Sequence, residues 1–199
     1  DDYEFGFRHY LRDDSFAHLN FFHMDVQREI FFNPSTFSNE NLDGLTRRQG
    51  LELSFHAKVA AWLSLQGSYT HLRAKIEEGN FAGKDLPGVA QNKATLGASF
   101  SPAKGFSLSL NGIYVGGRPF ISDFNNAFGN QDSYYVVNSR LEYRWTKAKA
   151  FLGVNNVFNR DYAEYGVLGG FPLERAFYPS PDKAVPAILF HRNEIGISL

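Results

Sequence analysis

The stretch from 133 to 162 constrains the fold more than any other part of the chain, because it contains two alternating runs joined by a tight turn. One parity of the first run is apolar and aromatic, and the other is largely polar: Tyr135, Val137, Ser139, Leu141, Tyr143 and Trp145 against Tyr134, Val136, Asn138, Arg140, Glu142 and Arg144. This alternation predicts a β-strand with two different faces. After a turn at 147–149, the sequence predicts a second strand over residues 150–159. Aromatic residues at both ends of the apolar face are typical of a strand in a membrane-spanning barrel.

The remaining sequence extends this pattern to about nine predicted strands. They cover residues 3–11, 16–31, 49–57, 63–70, 94–100, 106–114, 134–145 and 150–159, with a ninth strand at the end of the chain. The parity of the second strand is ambiguous, and a β-bulge near His23 would explain the change of face.

The connections between the predicted strands alternate between short and long. The turns at 12–15, 58–60, 102–105 and 147–149 are short, whereas the segments 32–48, 77–92, 116–132 and 161–185 are long. Antiparallel transmembrane barrels show this alternation, since tight periplasmic turns occupy one rim and extended extracellular loops the other. A β-sandwich has no reason to sort its connections by length. We therefore predict an all-β fold that forms a portion of an antiparallel transmembrane β-barrel.

Composition and motifs argue against several classes of function. The net charge of −1 argues against electrostatic binding of nucleic acid, and the absence of cysteine excludes a disulfide framework and thiolate chemistry. No apolar run reaches the roughly 18 residues of a transmembrane helix. The histidines lack metal-binding spacing, and the sequence contains neither a nucleophile elbow nor a phosphate-binding glycine loop. We expect no catalytic residue, no metal site, no cofactor and no nucleic-acid partner, and hence no enzyme.

Three motifs carry a resemblance to a known family. The first comprises Asn155, Asn156, Phe158, Asn159 and Tyr162, the second comprises Tyr178, Pro179 and Pro181, and the third is the run from 46 to 52 with Arg48, Gly50 and Glu52. With these motifs in this order, and with the strand pattern around them, the chain resembles the C-terminal portion of the barrel of TonB-dependent outer-membrane receptors.

The resemblance implies a place in a larger protein. Residues 1–199 would form the C-terminal part of a receptor barrel in the bacterial outer membrane, and the plug domain and the N-terminal strands would lie elsewhere in the same polypeptide. The implied partners are outer-membrane lipid, that plug, the remaining strands and, through the missing part, the TonB complex. The implied cargo is a ferric siderophore or a cobalamin-like nutrient. Two features depart from the family: the long segment 181–193 and a final Leu199 in place of an aromatic residue.

The strand pattern and the resemblance together nominate two sets of site residues. The predicted lumen-facing residues are Glu52, Asn138, Arg140, Glu142 and Arg144, since an arginine facing lipid would cost about 2–4 kcal/mol at the bilayer midplane. They either form a lumen wall that contacts the plug or guides an anionic substrate, or they line an ordinary hydrated lumen. The candidate ligand-contacting aromatics of the long loops are Phe120, Phe124, Phe128, Tyr134, Tyr165 and Phe171. These rings either stack on a planar chelate or pack the loops together.

Three other functions remain open from the sequence. The chain could be a self-contained small porin or adhesin barrel, an outer-membrane phospholipase or a soluble carbohydrate-binding β-sandwich. An even strand count with closure between the first and last strands would identify the small barrel. A serine and a histidine on adjacent outward faces would identify the phospholipase, and solubility without detergent would identify the β-sandwich. The identity of the cargo does not follow from the sequence, because specificity resides in variable loops.

Overall fold

The computed structural model describes residues 1–33, 36–170, 172–180, 187–192 and 195–197. Among these residues there is no helix, and hence none long and apolar enough to cross a membrane. The strands are β1 (Asp2–Arg12), β2 (Ser15–Gln27), β3 (Ile30–Asn33), β4 (Ser38–Asn41), β5 (Leu45–Ala60), β6 (Leu63–Ile76), β7 (Asn92–Phe100), β8 (Phe106–Val115), β9 (Arg118–Pro119), β10 (Asn130–Gln131), β11 (Tyr134–Arg144), β12 (Lys149–Val154), β13 (Ala163–Gly169), β14 (Glu174–Pro179), β15 (Ala187–Arg192) and β16 (Ile195–Ile197).

Ten of these strands form one antiparallel sheet. Their order is β1, β2, β5, β6, β7, β8, β11, β12, β15 and β16. Each strand therefore pairs with the next long strand along the chain, as in an up-and-down barrel. The all-β antiparallel prediction is confirmed. Within the described residues β1 and β16 are the two edges of the sheet, so the sheet is an open portion of a barrel.

The two rims of the sheet differ in the length of their connections, as predicted. Residues 13–14, 61–62, 101–105 and 145–148 make the short turns of one rim, here called the short-turn rim. At the opposite rim, the long-loop rim, the chain makes three small two-stranded sheets, β3 with β4, β9 with β10 and β13 with β14. The long loops therefore have secondary structure of their own.

Three details of the predicted strands are wrong. The second strand ends at Gln27, and its register with β5 runs without a shift from Phe16 to Gln27, so no bulge occurs at His23. The eighth strand ends at Val154 and not at 159, because Asn156 takes a positive φ of 50° that breaks the extended backbone. The described part of the ninth strand consists of two short antiparallel strands, β15 and β16.

The register separates the sheet into an apolar and a polar face. One cross-strand row, from β1 to β11, reads Phe7, Leu19, Leu53, Tyr69, Ala94, Tyr114 and Tyr135. A neighbouring row on the opposite face reads Gly6, Asn20, Glu52, Thr70, Lys93, Val115 and Tyr134. The apolar row suits lipid and the polar row suits a water-filled lumen, as in outer-membrane barrels.

The buried core lies beneath the long loops, on the polar side of the sheet. It contains Leu42, Ala74, Ile76 and Leu86, and Phe31, Leu72, Phe81, Val89 and Phe124 pack against it. Ile76 is fully buried, although it stands at the end of β6. The apolar face of the sheet is open by contrast, since Phe5 is 72% and Leu96 59% exposed. The apolar side chains of the sheet are therefore divided between a small core at one rim and an exposed outer surface.

Candidate ligand-binding layer at the long-loop rim

The loop between β8 and β11 lies at the centre of the long-loop rim. Its Phe124 ring lies 4.4 Å from the ring of Phe31 in β3, in an edge-on arrangement, and 5.3 Å from the ring of Phe81 in the loop after β6. Aromatic pairs at these distances add about 0.5–1.5 kcal/mol each beyond the burial of apolar area. A single aromatic cluster therefore joins three long loops into one layer.

Polar contacts hold the same loops together. The backbone N–H of Asp85 donates to Asn126 Oδ1 at 2.7 Å, and Asn126 Nδ2 donates to Asp85 O at 3.1 Å. Asn126 Nδ2 also donates to Asp123 O, and Ser122 Oγ donates to Phe32 O at 3.2 Å. Asn126 takes a φ of 52°, a region that asparagine enters more readily than most residues. The amide of Asn126 thus pairs with the backbone of a neighbouring loop.

A second aromatic contact attaches the β13–β14 hairpin to this layer. Phe120 is 1% exposed, and its ring lies 5.4 Å from the ring of Phe177. The guanidinium of Arg175 lies 5.6 Å from the same Phe120 ring, and Ile121 N–H donates to Gly166 O at 2.9 Å. A Cβ added at Gly166 would lie 2.6 Å from Gln131 Cδ and 2.9 Å from Phe120 Cδ1, so a larger residue there would require these two buried side chains to shift.

A cavity of about 420 Å³, here called the loop cavity, opens among the joined loops. This volume falls within the roughly 300–1,000 Å³ of small-molecule sites. Its lining combines the rings of Phe31, Phe81, Phe124 and Phe128 with the carboxylates of Glu40, Asp43 and Asp123 and the carboxamides of Asn33, Asn41, Asn80 and Asn125. Among its described lining residues there is no lysine or arginine. The loop cavity is therefore aromatic, rich in amides and negatively charged.

Two of the cavity carboxylates are fixed by hydrogen bonds. Asp123 is 2% exposed and accepts the backbone N–H groups of Ala127 and Phe128, each at 2.9 Å. Glu40 accepts Asn33 Nδ2 at 3.0 Å, and it also accepts the hydroxyls of the neighbouring residues 36 and 38. These hydrogen bonds, the one from Asn33 first, lower the pKa of the Glu40 carboxyl below its ordinary value. The Glu40 carboxyl thus loses its charge at a lower pH than an ordinary glutamate does.

A second cavity, of about 240 Å³, has a different lining that includes Lys93, Arg118, Gln131, Tyr134, Glu164 and Tyr165. Arg118 is 5% exposed; its Nη2 donates to the carbonyl oxygens of Ala163 and Glu164, and its guanidinium lies 5.6 Å from the Tyr134 ring centroid. Arg118 Nη1 has no hydrogen-bond partner within the described residues. Through these hydrogen bonds Arg118 connects the β9 segment to the start of β13.

The structure distributes the six predicted loop aromatics among different surroundings. Phe120 is buried within the loop layer, Phe124 forms the aromatic cluster, and Phe128 lines the loop cavity. Tyr134 and Tyr165 line the second cavity, and Phe171 lies outside the described residues. Phe124 and Phe128 are thus brought to one cavity and the two tyrosines to another. Their contact with a ligand stays a prediction.

The predicted lumen-facing residues lie on the polar face of the sheet. Glu52 stands in the polar row described above, and Asn138 Oδ1 accepts the backbone N–H of Asn156 at 2.9 Å. Near the short-turn rim, Glu142 is approached by three cations: Lys149 Nζ at 2.9 Å, Arg144 at 3.3 Å and Arg140 at 3.4 Å. This end of the polar face therefore carries a surplus of positive charge, opposite in sign to the loop cavity.

The described residues of the first two motifs lie in turns or near the ends of strands. Asn156 is 4% exposed; its Nδ2 donates to Arg160 O at 2.8 Å, and its Oδ1 accepts the Arg160 N–H at 2.9 Å. Tyr162 packs against Tyr134 at 4.7 Å between ring centroids. Asn155, Phe158 and Asn159 are exposed in the same turn, Tyr178 and Pro179 end β14, and Pro181 lies outside the described residues.

Sequence reasoning missed Glu40, Asp43, Arg118 and Asn126. Polar residues in long loops carry no periodic signal, and only the folded loops show which of them face a cavity. Asn126 had a weak signal, since it follows another asparagine in an Asn-rich segment, but its partner Asp85 is 41 residues away. Among the described residues, no group of three or more acidic or histidine side chains could hold a metal ion.

Comparison with families of known proteins gives a match over most of the chain. A family model described as "TonB dependent receptor-like, beta-barrel" matches residues 1–157. The catecholate siderophore receptor Fiu of Escherichia coli (strain K12) is 27% identical over 150 residues, which are 71% of this chain and 19% of the relative. The ferrichrome outer membrane transporter/phage receptor of the same strain is 30% identical over 138 residues, 64% of this chain and 18% of the relative. The chain thus spans about a fifth of the length of these relatives.

Solved structures share the fold. The ferric yersiniabactin uptake receptor FyuA from Yersinia pestis superposes with a TM-score of 0.80 at 19% identity, over 95% of this chain and 29% of that structure. The copper transporter OprC superposes with a TM-score of 0.75 at 19% identity, over 96% of this chain and 30% of that structure. At these identities the likeness shows the fold alone.

Proposed function

Because the chain belongs to the TonB-dependent receptor family of β-barrels in the bacterial outer membrane, we propose that it supplies barrel wall and extracellular loops to a receptor that takes up a ferric siderophore or a similar bulky nutrient. The match to the family's barrel over residues 1–157 is the observation that carries this proposal. Members of the family are transport receptors, and we assign no enzymatic role to this chain.

The long-loop rim supports the assignment of a binding role. Four long loops interlock through Phe124, Asn126 and Phe120, and they enclose a cavity of small-molecule size. Loops that merely connected strands would not need a shared core with a fully buried Ile76. A layer held at one rim of a membrane barrel is well placed to capture a ligand from outside. The single ten-stranded sheet with an exposed apolar face is also unlike a soluble β-sandwich, whose apolar faces pack against each other.

The cargo is proposed from the relatives. Of the relatives of this chain, Fiu is named as a catecholate siderophore receptor and another as a ferrichrome outer membrane transporter. The structural neighbour FyuA is named as an uptake receptor for ferric yersiniabactin. All three names specify iron chelates, so iron carried by a siderophore is the first cargo to test. A cobalamin-like nutrient is the second.

The remaining partners are proposed by family membership. We place residues 1–199 in the C-terminal part of a longer receptor barrel. The edges of β1 and β16 would then pair with other strands of that receptor, because unpaired backbone groups are costly in lipid. The positively charged cluster around Glu142 would face a plug domain in the lumen. The TonB complex would act through that plug, and lipid would cover the apolar face.

The test is iron uptake by cells that produce the full-length receptor containing this sequence. Cells lacking their own siderophore receptors would receive that gene and would be supplied with single radiolabelled ferric siderophores under iron limitation. We expect uptake of at least one chelate, which disappears in an otherwise identical strain without TonB. A receptor that reaches the outer membrane but supports no uptake of any chelate or of cobalamin would contradict the proposal.

A paired substitution ties the activity to the loop layer. Phe128→Ala removes a ring that lines the loop cavity, whereas Phe37→Ala removes a ring that is 83% exposed and lies outside the cavity lining. We expect the first variant to weaken binding of the transported chelate by about tenfold, the effect of losing one well-packed aromatic contact. The second should change it by less than about twofold.

A further inference from the structure

The charge of the loop cavity bears on which class of chelate it accepts. Iron(III) bound by three catecholate groups is a trianion, whereas iron(III) bound by three hydroxamate groups carries no net charge. Receptors for the first class need a cavity with cations, since a like charge at close range repels the ligand. Receptors for the second need amides, hydroxyls and aromatic surface, which suit a neutral ligand of amide character.

The described lining of the loop cavity is negative. Glu40, Asp43 and Asp123 contribute three carboxylates, and no described lining residue is a lysine or an arginine. Four asparagine carboxamides and four phenylalanine rings make up much of the rest of the wall. Neutralisation by protonation is not available to Glu40 near neutral pH, because its hydrogen bonds favour the ionised form.

Three cations near this layer are engaged in contacts of their own. Arg48 pairs with Glu29 at 2.6 Å, and Lys75 lies 3.7 Å from Asp85. Arg118 is covered by protein and donates to two backbone carbonyls. None of these positive groups is among the described lining residues of the loop cavity, although Arg48 lines an adjoining cavity of about 230 Å³ that shares Phe31 and Phe124 with it.

From this lining we infer that the loop cavity selects an uncharged or cationic ferric chelate with amide-type or hydroxamate-type groups, and rejects polyanionic chelates. The inference rests on the proposed function and narrows its cargo. The phenylalanine rings would contact the apolar surface of the chelate, and the asparagine side chains would donate to and accept from its amide groups. The carboxylates would repel a trianion and attract a protonated amine, to which an aromatic face is also complementary.

The experiment compares two probes on the full-length receptor that contains this sequence, purified from outer membranes in detergent. The probes are a neutral ferric trihydroxamate and a trianionic ferric tris-catecholate, and their dissociation constants are measured by equilibrium dialysis of radiolabelled iron. We expect the wild-type receptor to bind the neutral complex at least about tenfold more tightly, which corresponds to a difference of about 1.4 kcal/mol.

Charge-neutralising variants test the cause. In the double variant Glu40→Gln, Asp43→Asn we expect affinity for the trianion to rise by about threefold to tenfold per carboxylate, the scale of repulsion between one charge and a trianion across screened water. Affinity for the neutral complex should change by less than about twofold. Glu78→Gln is the matched control, since Glu78 is an exposed carboxylate in a long loop but outside the cavity lining, and it should change neither constant.

The possible outcomes separate this inference from the proposed function. Tighter binding of the trianion by the wild-type receptor, or an unchanged ratio of the two constants in the double variant, overturns the inference and leaves siderophore uptake intact. Binding of neither complex, together with no cellular iron uptake, overturns both. Heat-modifiable migration of each variant shows that it has folded, so a loss of binding cannot arise from misassembly.

Discussion

The Phe124 ring meets the Phe31 ring edge-on at 4.4 Å, and this contact joins the loop after β8 to the β3–β4 hairpin, 93 positions earlier in the sequence (124 − 31). The same ring reaches Phe81 on its other side. Phe124 is thus the point at which three loops with no neighbouring sequence become one layer. Apart from the fully buried Phe120, Phe124 is therefore the loop aromatic on which we expect the stability of the loop layer to depend most.

Phe124→Ala is expected to loosen the loop layer without preventing assembly of the sheet. Fully buried Phe→Ala changes cost about 3–5 kcal/mol, and the half-buried Phe124 should cost about 2 kcal/mol. Limited proteolysis of the membrane-embedded receptor should then cleave the loops after β2, β6 and β8 faster than in the wild type. Phe37→Ala, at a ring that is 83% exposed, is the control and should leave cleavage unchanged. Equal cleavage of both variants would show that the aromatic cluster does not hold the loops.

Asn126→Ala is expected to free the backbone of Asp85. The variant removes the acceptor of the Asp85 N–H and the donor to Asp85 O, and each lost hydrogen bond is worth about 0.5–1.5 kcal/mol. It also places alanine at a positive φ, which asparagine tolerates better. Hydrogen exchange should show faster exchange at the Asp85 amide. Asn125→Ala, an exposed neighbour, should leave that amide protected.

The facing of β8 can be tested with adjacent substitutions. Leu110 lies on the apolar face, whereas Ser109 lies on the polar face beside Arg140 in β11. Leu110→Arg should cost about 2–4 kcal/mol near the bilayer midplane, and Ser109→Arg should cost far less because its side chain meets water. Urea unfolding of the full-length receptor in lipid vesicles measures both. If the two variants unfold at the same urea concentration, the assignment of lipid and lumen faces is wrong.

The β3–β4 hairpin is expected to loosen in acid. The hydrogen bonds to Glu40 lower its pKa in the folded hairpin, so the ionised carboxylate stabilises the hairpin above the ordinary carboxyl pKa. This stabilisation is lost as the pH falls through the lowered folded value. A spin label at Phe37→Cys, in the exposed connection of the hairpin, should become more mobile as the pH falls below 4.5, the ordinary pKa of a glutamate carboxyl, and through the lowered pKa of Glu40. In Glu40→Gln the label should lose most of this pH response, because no carboxylate titrates there.

The sequence by itself determined the sheet. The alternation of Tyr135, Leu141 and Tyr143 with Arg140 and Glu142 requires an extended strand with two different faces, because side chains alternate along a strand. The alternating lengths of the connections required antiparallel neighbours. These are local properties of the chain, so the order and facing of strands such as β5, β8 and β11 could be inferred. The ends of strands could not, because the positive φ at Asn156 depends on its bonds to Arg160.

Only the tertiary structure decided how the long loops are used. Phe120 and Phe128 are both phenylalanines of one loop, yet Phe120 is buried against β14 and Phe128 lines the loop cavity. Likewise, Glu40, Asp43 and Asp123 lie in two separate loops, and folding brings them to the same cavity. Loop side chains have no period that assigns them a face, and their partners lie tens of residues away. Their surroundings are therefore set by contacts between loops, which exist only once the sheet has placed those loops side by side.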